Sequence, residues 1–325
     1  MKKMIKILAA LAAGAFLFVS CYTIEQGEII PDTKVPVNVG CLKGPSGLSM
    51  VKLFKDNEQN DEYNTKIAGA PDQITAGLTS GELDIAAVPM NLAANLYNKT
   101  NGSIRVLAVS GLGNLYIMSR VEISTVADLE GKTVVVAGQG ATTEYALRYV
   151  LDKNEISDKV TLEFKEPAET AVAAISGSAD IVMLPEPFAS QVEDKADGML
   201  RVLDINEEWK NLNNGQDIVM TCVVARSDFI ESNGDDLTAF LEKFALSVQF
   251  CNTDIDKTAE YAQEFEIMEA ESVKKAIPYC AITFIKDDEM KTKISDFLTT
   301  LHEVDPRSVG GTVPDEGFYY NAAEN

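Results

Sequence analysis

Short apolar runs alternate along this chain with stretches whose apolar residues recur three and four apart. Val37–Cys41 reads as a strand, Ser46–Lys55 as a helix, Thr65–Ala68 as a strand and Asp72–Ser80 as a helix. Leu83–Val88 is a third strand, Leu92–Tyr97 a further helix and Arg105–Ser110 a fourth strand. The pattern then starts again. Lys132–Ala137, Val160–Lys165 and Asp180–Leu184 read as strands, and Thr142–Lys153, Ala168–Ser176 and Phe188–Glu193 as helices. Strands that alternate with helices predict mostly parallel sheets covered on both faces. From 235 to 304 the pattern is helical. Asp235–Asn252 places Leu237, Phe240, Leu241, Phe244, Ala245 and Val248 on one stripe, which is a packing face.

The second series copies the first at an offset of 96 residues. Pro71, Ser80, Gly81, Asp84, Ile85, Pro89 and Ala93 match Pro167, Ser176, Gly177, Asp180, Ile181, Pro185 and Ala189 without a gap. Gly44 likewise matches Gly140, and Ser46 meets Thr142. Any two β-α-β units share some likeness, but the residue types favour two lobes of one architecture. Gly81 and Gly177 stand where helices end, a place for a left-handed backbone. Ligands in open α/β sheets bind beyond the carboxyl ends of the strands. Loops 43–47, 69–73 and 89–91 of one lobe should therefore face loops 138–143, 166–169 and 185–188 of the other. Two β-rich segments, Leu115–Ser119 and Asp217–Ala225, are candidates to cross between lobes. The expected division is 36–114 plus 220–325 for the first lobe and 115–219 for the second. The fold class is then α/β: two doubly wound lobes on a two-strand hinge.

Residues 1–21 have a different character. Lys2, Lys3 and Lys6 precede an apolar run from Ile7 to Val19, ending in Ser20-Cys21. Thirteen residues of helix span ~20 Å, short of a ~30 Å hydrocarbon core, so this reads as a secretory signal over 1–20. Ser20-Cys21 resembles a bacterial lipobox, with Phe18 where Leu is usual. Lipid on Cys21 would hold the chain to the membrane, and polar residues 21–35 would be a tether.

Charge narrows the partners. The 325 residues carry 28 Lys+Arg against 50 Asp+Glu, a net charge of -22, so phosphate backbones repel the chain and nucleic acid is not an expected partner. There is one histidine, His302, which weakens any histidine-centred chemistry. Cys41, Cys222, Cys251 and Cys280 sit in apolar contexts and read as small buried side chains. Cys41–Cys222 is the pairing to check first if a bridge exists.

The candidate chemistry is that of binding. No P-loop and no G-x-S-x-G elbow occur. Gly138 to Thr143 ends in Thr where a dinucleotide fingerprint wants Gly or Ala, so no cofactor is expected. Glu166, Glu169 and Glu186 could pair as carboxylates but read as loop acids or ligand contacts. The expected ligand-binding residues are Lys43, Gly44, Ser46, Gln73, Pro89, Asn91, Gln139, Gly140, Thr142, Thr143, Glu186, Phe188 and Tyr279, with no catalytic residue and no metal. Ser46 and Thr142 read as N-caps of helices aimed into the cleft. These loops hold little positive charge and no arginine. That favours a flat heterocycle or small acid between aromatic side chains. A sulfonate or carboxylate held by helix N-termini and Lys43 is the alternative.

Six stretches carry a family resemblance beside the lipobox: GPSGLSMVKLF at 44–54, ITAGLTSGELDIAAVPMNLAANLYN at 74–98, STVADLEGKTVVV at 124–136, GATTEYALRYVL at 140–151, IVMLPEPFA at 181–189 and AIPYCAITFI at 276–285. Through them the chain resembles solute-binding lipoproteins of ABC importers. The group is that of nitrate, sulfonate and taurine binders and binders of thiamine pyrimidine precursors. The resemblance implies the type II periplasmic-binding-protein fold, closing on a small organic molecule and handing it to an ABC permease. It implies a monomer, lipid-anchored and facing the periplasm or cell exterior, that is not an enzyme. Some relatives of the fold are enzymes of thiamine-pyrimidine or menaquinone synthesis, and these would lack a lipobox. A surface adhesin or scaffold is a third class.

Overall fold

Two sheets, built alike, organise the chain. The computed structural model describes residues 35–321, so the leader, Cys21 and most of the tether lie outside the described residues. The strands are β1 (Val37–Leu42), β2 (Tyr63–Ala68), β3 (Ile85–Pro89), β4 (Ile104–Leu112), β5 (Leu115–Ser119), β6 (Thr133–Ala137), β7 (Thr161–Lys165), β8 (Ile181–Pro185), β9 (Leu200–Asp204), β10 (Val219–Arg226) and β11 (Ile282–Ile285). One sheet has the order β11-β4-β10-β3-β1-β2 and the other β7-β6-β8-β5-β9. In the first, β1 lies parallel between β2 and β3, and β10 runs antiparallel beside β3. In the second, β6 lies parallel between β7 and β8, and β5 runs antiparallel beside β8. The repeat at 96 residues is this shared unit. β3 and β8 are buried along nearly their whole length, as strands covered on both faces must be. The fold is the expected one, two α/β lobes.

The helices after β2 and β7, Pro71–Ser80 and Pro167–Ile175, both begin at a proline. Proline suits the first helical position because its missing N–H would have no partner there. Gly81 (φ 81°) and Gly177 (φ 77°) follow these helices in the left-handed region, as the sequence predicts.

The crossings between sheets lie before the strands of the expected segments, the second overlapping its segment only at 217–218. β5 and β10 each belong wholly to one sheet, because their backbones are committed to ladders on both sides. The chain instead passes over at Gly113-Asn114, between β4 and β5, and at 205–218, between β9 and β10. One side chain ties the two crossings together. Asn206 accepts from the Ile218 N–H at 2.9 Å and donates to Asp217 at 3.2 Å. A β-carbon on residue 113 would sit 2.2 Å from its Oδ1, so only glycine fits there.

Further elements depart from the pattern. β9, the helix Ile205–Leu212 and β11 were absent from the expected series, and β11 falls within the stretch read as helical. Ser46–Lys55 is two helices, Pro45–Leu48 and Val51–Asn60. The four cysteines are free and buried, and burial pushes the Cys41 and Cys251 thiols up to about 12. Among the described residues no helix is long and apolar enough to cross a membrane.

An apolar cluster is continuous from the first sheet (Val106, Val109) to the second (Ile117, Val134, Val136). The helix Asp287–Val304 supplies Met290, Ile294, Phe297, Leu298 and Leu301 to it. Trp209, on the helix between the sheets, is fully buried there, 4.6 Å from the Tyr149 ring and 5.6 Å from Phe297.

Candidate functional site

The loops beyond β1, β3, β6 and β8 meet where the two sheets face each other. Gly44 (φ 94°) follows β1, and a β-carbon there would lie 3.9 Å from the Pro187 ring, in the loop after β8. Asn91, in the first turn of the helix Met90–Lys99, reaches across to the loop after β6. Its Nδ2 donates to the Gly140 carbonyl at 3.2 Å, and its Oδ1 accepts from the Thr142 hydroxyl at 3.4 Å. Ser46, Asn91, Thr142, Thr143 and Glu186 are all buried. The strand ends thus bring buried polar side chains into a seam between the two sheets.

Not every expected residue joins that seam. Lys43 is exposed, with its N–H donating to the Ala68 carbonyl at 3.0 Å. Gln73 is exposed and accepts from the Gly69 N–H within its own loop. Thr143 is buried but spends its hydroxyl on the Ala137 and Gly138 carbonyls, so it fixes a turn. Gln139 is exposed beside a 440 Å³ cavity that Gly140, Tyr145, Arg148 and Arg307 also line. Pro89 ends β3, and Phe188 packs half-buried on the second sheet's helices. Glu166 and Glu169 are exposed, which separates them from buried Glu186.

Neither hydroxyl expected to cap a helix does so. The N-caps are Gly44 and Ala141, without side-chain bonds. Pro45 takes the first helical position and moves Ser46 into the turn, where its carbonyl accepts from the Ser49 hydroxyl at 2.7 Å. Thr142 is itself the first helical residue, and its hydroxyl turns to Asn91 instead.

The absence of arginine from the cleft also needs correction. Arg201 comes from β9, an edge strand outside every loop considered, and reaches the site on the length of its side chain. Its guanidinium carbon lies 4.1 Å from the Tyr116 ring centre and 3.9 Å from that of Tyr279. Tyr116 belongs to β5 of the second sheet, whereas Tyr279 belongs to the short turn before β11 of the first. The Tyr116 hydroxyl donates to the Tyr279 carbonyl at 3.2 Å. Nη1 of Arg201 is 2.7 Å from Oε1 of Glu186, an ion pair with Glu186 wholly buried. Nη2 donates to Ser190 and Glu193, both at 3.3 Å.

Burial raises the Glu186 carboxyl above the ordinary range, although Arg201 and the Ser190 N–H pull it down. Burial opposes the charge of Arg201 too, but the acids around it, Glu186 first, raise it. The site can hold a cation between two aromatic faces, with an acid as its present partner. Among the described residues no cluster of three metal-ligating side chains occurs.

The family model described as menaquinone biosynthesis matches residues 39–295. No curated protein matches the chain. Among solved structures, an ABC transporter from Parabacteroides distasonis is 25% identical, with a TM-score of 0.75 over 88% of this chain and 99% of that one. The periplasmic aliphatic sulphonate binding protein SsuA from Escherichia coli is 15% identical, with a TM-score of 0.72 over 88% and 92%. The alkanesulfonate-binding protein SsuA from Xanthomonas axonopodis pv. citri, bound to MOPS, is 12% identical, with a TM-score of 0.63 over 86% and 94%. The family match corrects the expectation that the chain is not an enzyme, because the family is described by a biosynthetic pathway.

Proposed function

The chain belongs to the menaquinone biosynthesis family, and we propose that its polar seam captures a small organic molecule between two lobes. The observation that carries this is the reach of Asn91 from one sheet's strand ends to Gly140 and Thr142 at the other's. On this reading the lobes are 36–114 plus 220–325 and 115–219, and they close about Gly113-Asn114 and 205–218. Ligand contacts to both lobes would select the closed state. The likeness to an ABC transporter structure and to sulfonate-binding proteins supports delivery of the captured molecule to an ABC permease. The leader and Ser20-Cys21 support a place outside the cytoplasm, lipid-anchored through Cys21, and on this reading the chain acts as a monomer.

A second reading has support of its own. The family match favours a protein that transforms the bound molecule within menaquinone biosynthesis. One experiment separates the two. The full chain is expressed in a bacterial host, and the molecule that co-purifies is identified by mass spectrometry and incubated with fresh protein. Recovery unchanged, with acyl mass on Cys21, supports capture for transport. Appearance of a product supports the second reading. A chain that retains and binds no small molecule ends both.

A further inference from the structure

Resting on the reading of the seam as a capture site, we propose that the captured molecule seats in the 440 Å³ cavity beside Gly140, that the Tyr145 hydroxyl anchors it, and that it is a small uncharged molecule carrying a carbonyl or hydroxyl group. The cavity adjoins the seam, because Gly140, whose carbonyl accepts from Asn91, is part of its wall. One side of the wall comes from the second lobe: Gln139 and Gly140 in the loop after β6, with Tyr145 and Arg148 on the helix Thr142–Lys153. The other side comes from the first: Val304 at the end of the helix Asp287–Val304, with Arg307 just beyond. A molecule held there touches both lobes, as capture requires. The volume falls within the range of small-molecule sites.

Tyr145 is the polar group that the fold leaves open. The residue is only 8% exposed and its ring belongs to the apolar cluster between the sheets, so its hydroxyl end is what reaches the cavity. A buried tyrosine ordinarily gives its hydroxyl a partner. Tyr149, one turn further on, donates to Asn213 at 2.9 Å, whereas the Tyr145 hydroxyl has no partner among the described residues. Burial, reinforced by Asp305 and Glu144 in the same wall, holds this hydroxyl above its ordinary pKa, so its proton stays available for donation.

The charges of the wall select against ions. Glu144 accepts from the Gly140 N–H and from Nε of Arg148, both at 2.7 Å. Asp305 accepts from the Arg307 N–H at 2.9 Å and from Nη2 of the same residue at 2.6 Å. Two cations thus meet two anions, each already paired, and an entering ion would give up water without finding a counter-charge. The groups left over are the Tyr145 hydroxyl and the exposed Gln139 amide, both uncharged and each able to donate and to accept. Together with the Val304 side chain they suit a neutral molecule with one apolar flank and one polar group.

The test is calorimetry on the full chain with benzamide, benzoate and benzylammonium, three probes of similar shape and different charge, and with melting of each variant as the control for folding. Wild type should bind benzamide roughly tenfold more tightly than either ion. Tyr145→Phe keeps the ring and removes an unpaired hydroxyl, so it should melt no lower than wild type and bind benzamide roughly tenfold more weakly. Val304→Trp fills the cavity from the opposite side and should abolish benzamide binding. Preference for either ion, a wild type that binds none of the three, or unchanged benzamide affinity in the folded Tyr145→Phe and Val304→Trp proteins overturns the assignment. A markedly lower melting point of Tyr145→Phe overturns it as well, because the hydroxyl would then have a structural partner. Retention of the co-purifying molecule judges the seam separately. If Asn91→Ala loses that molecule while Tyr145→Phe and Val304→Trp keep it, the capture reading stands and the cavity is not its seat. If all three lose it, cavity and seam are one site.

Discussion

The two lobes are joined along two seams of opposite chemistry. On one, Trp209 is wedged between Tyr149 of the helix Thr142–Lys153 and Phe297 of the helix Asp287–Val304. Its ring lies in an apolar cluster, at whose edge the Tyr149 hydroxyl donates to Asn213 at 2.9 Å and the Asn213 amide donates to the Trp209 carbonyl at 3.1 Å. On the other, Arg201 is pressed between Tyr116 and Tyr279 over a buried carboxylate, and Lys275 pairs with Asp194 at the surface. The apolar seam gains from burial and has no alternative partner to take up. The charged seam gains little once desolvation is counted, but its partners can be exchanged. The apolar seam thus carries stability, whereas the charged seam holds an ion pair whose net gain is small.

The largest effect should come from the apolar seam. Trp209→Ala opens a cavity between three helices and should cost about 3–5 kcal/mol of unfolding free energy, read from denaturant melts. Ligand capture should survive wherever the variant remains folded. A loss below about 1 kcal/mol would show that the wedge is not what holds the lobes together.

Next comes the pair itself. Glu186→Ala leaves the guanidinium buried against two rings with only Ser190 and Glu193 for company, and should cost about 3 kcal/mol. Replacing both partners by apolar residues, Glu186→Leu with Arg201→Met, should restore wild-type stability to within about 1 kcal/mol or exceed it. If the double variant is as unstable as the single one, the ion pair is a structural tie and the contrast between the seams fails.

A pH series sharpens the contrast further. The Glu186 carboxyl is raised in the folded state, chiefly by burial, and so is that of Asp204 at the end of β9. The folded protein therefore holds more protons than the unfolded chain between the ordinary and the raised values. Stability from this source is present below the ordinary carboxylate range and declines as pH rises through the folded value. Against Glu186→Gln, wild type should lose stability as pH rises from about 4.5, the ordinary glutamate value, and level off above the raised one. A flat difference between the two proteins would mean that Glu186 titrates normally.

How much of this the sequence discloses depends on the element. β1, β3, β6 and β8 are buried on both faces, so they print continuous apolar runs, and the helices between them print proline starts and glycine stops. The shared unit of the two sheets is legible from those residues alone. β9 and β11 are four or five residues long at or near sheet edges, and so short a run fits one turn of helix as well. Arg201 stayed hidden for that reason. The strand Leu200–Asp204 does not alternate cleanly, a register shift interrupts its ladder with β5, and Arg201 lies opposite Met118, a buried residue of the same sheet. A charge on a packed face was the available signal, but it can be read only once the strand is recognised. The caps at Ser46 and Thr142 failed for a local reason, a proline in one loop and a one-residue displacement in the other.

The smallest effect tests the contact between the strand ends. The Thr142 hydroxyl meets Asn91 at 3.4 Å, a long bond, and the Asn91 amide keeps its better one to the Gly140 carbonyl at 3.2 Å. Thr142→Val removes the hydroxyl and conserves the volume, so no cavity confuses the reading. Because Ala141, not Thr142, caps the helix, no cap is lost, and the cost should be about 0.5 kcal/mol, near the floor for a hydrogen bond. A loss of 1–2 kcal/mol, the size of a missing cap, would restore the capping role that the structure denies to Thr142. If stability falls by the smaller amount while capture of the co-purified molecule weakens markedly, the hydroxyl serves the ligand. The polar seam would then recognise its molecule at the strand ends.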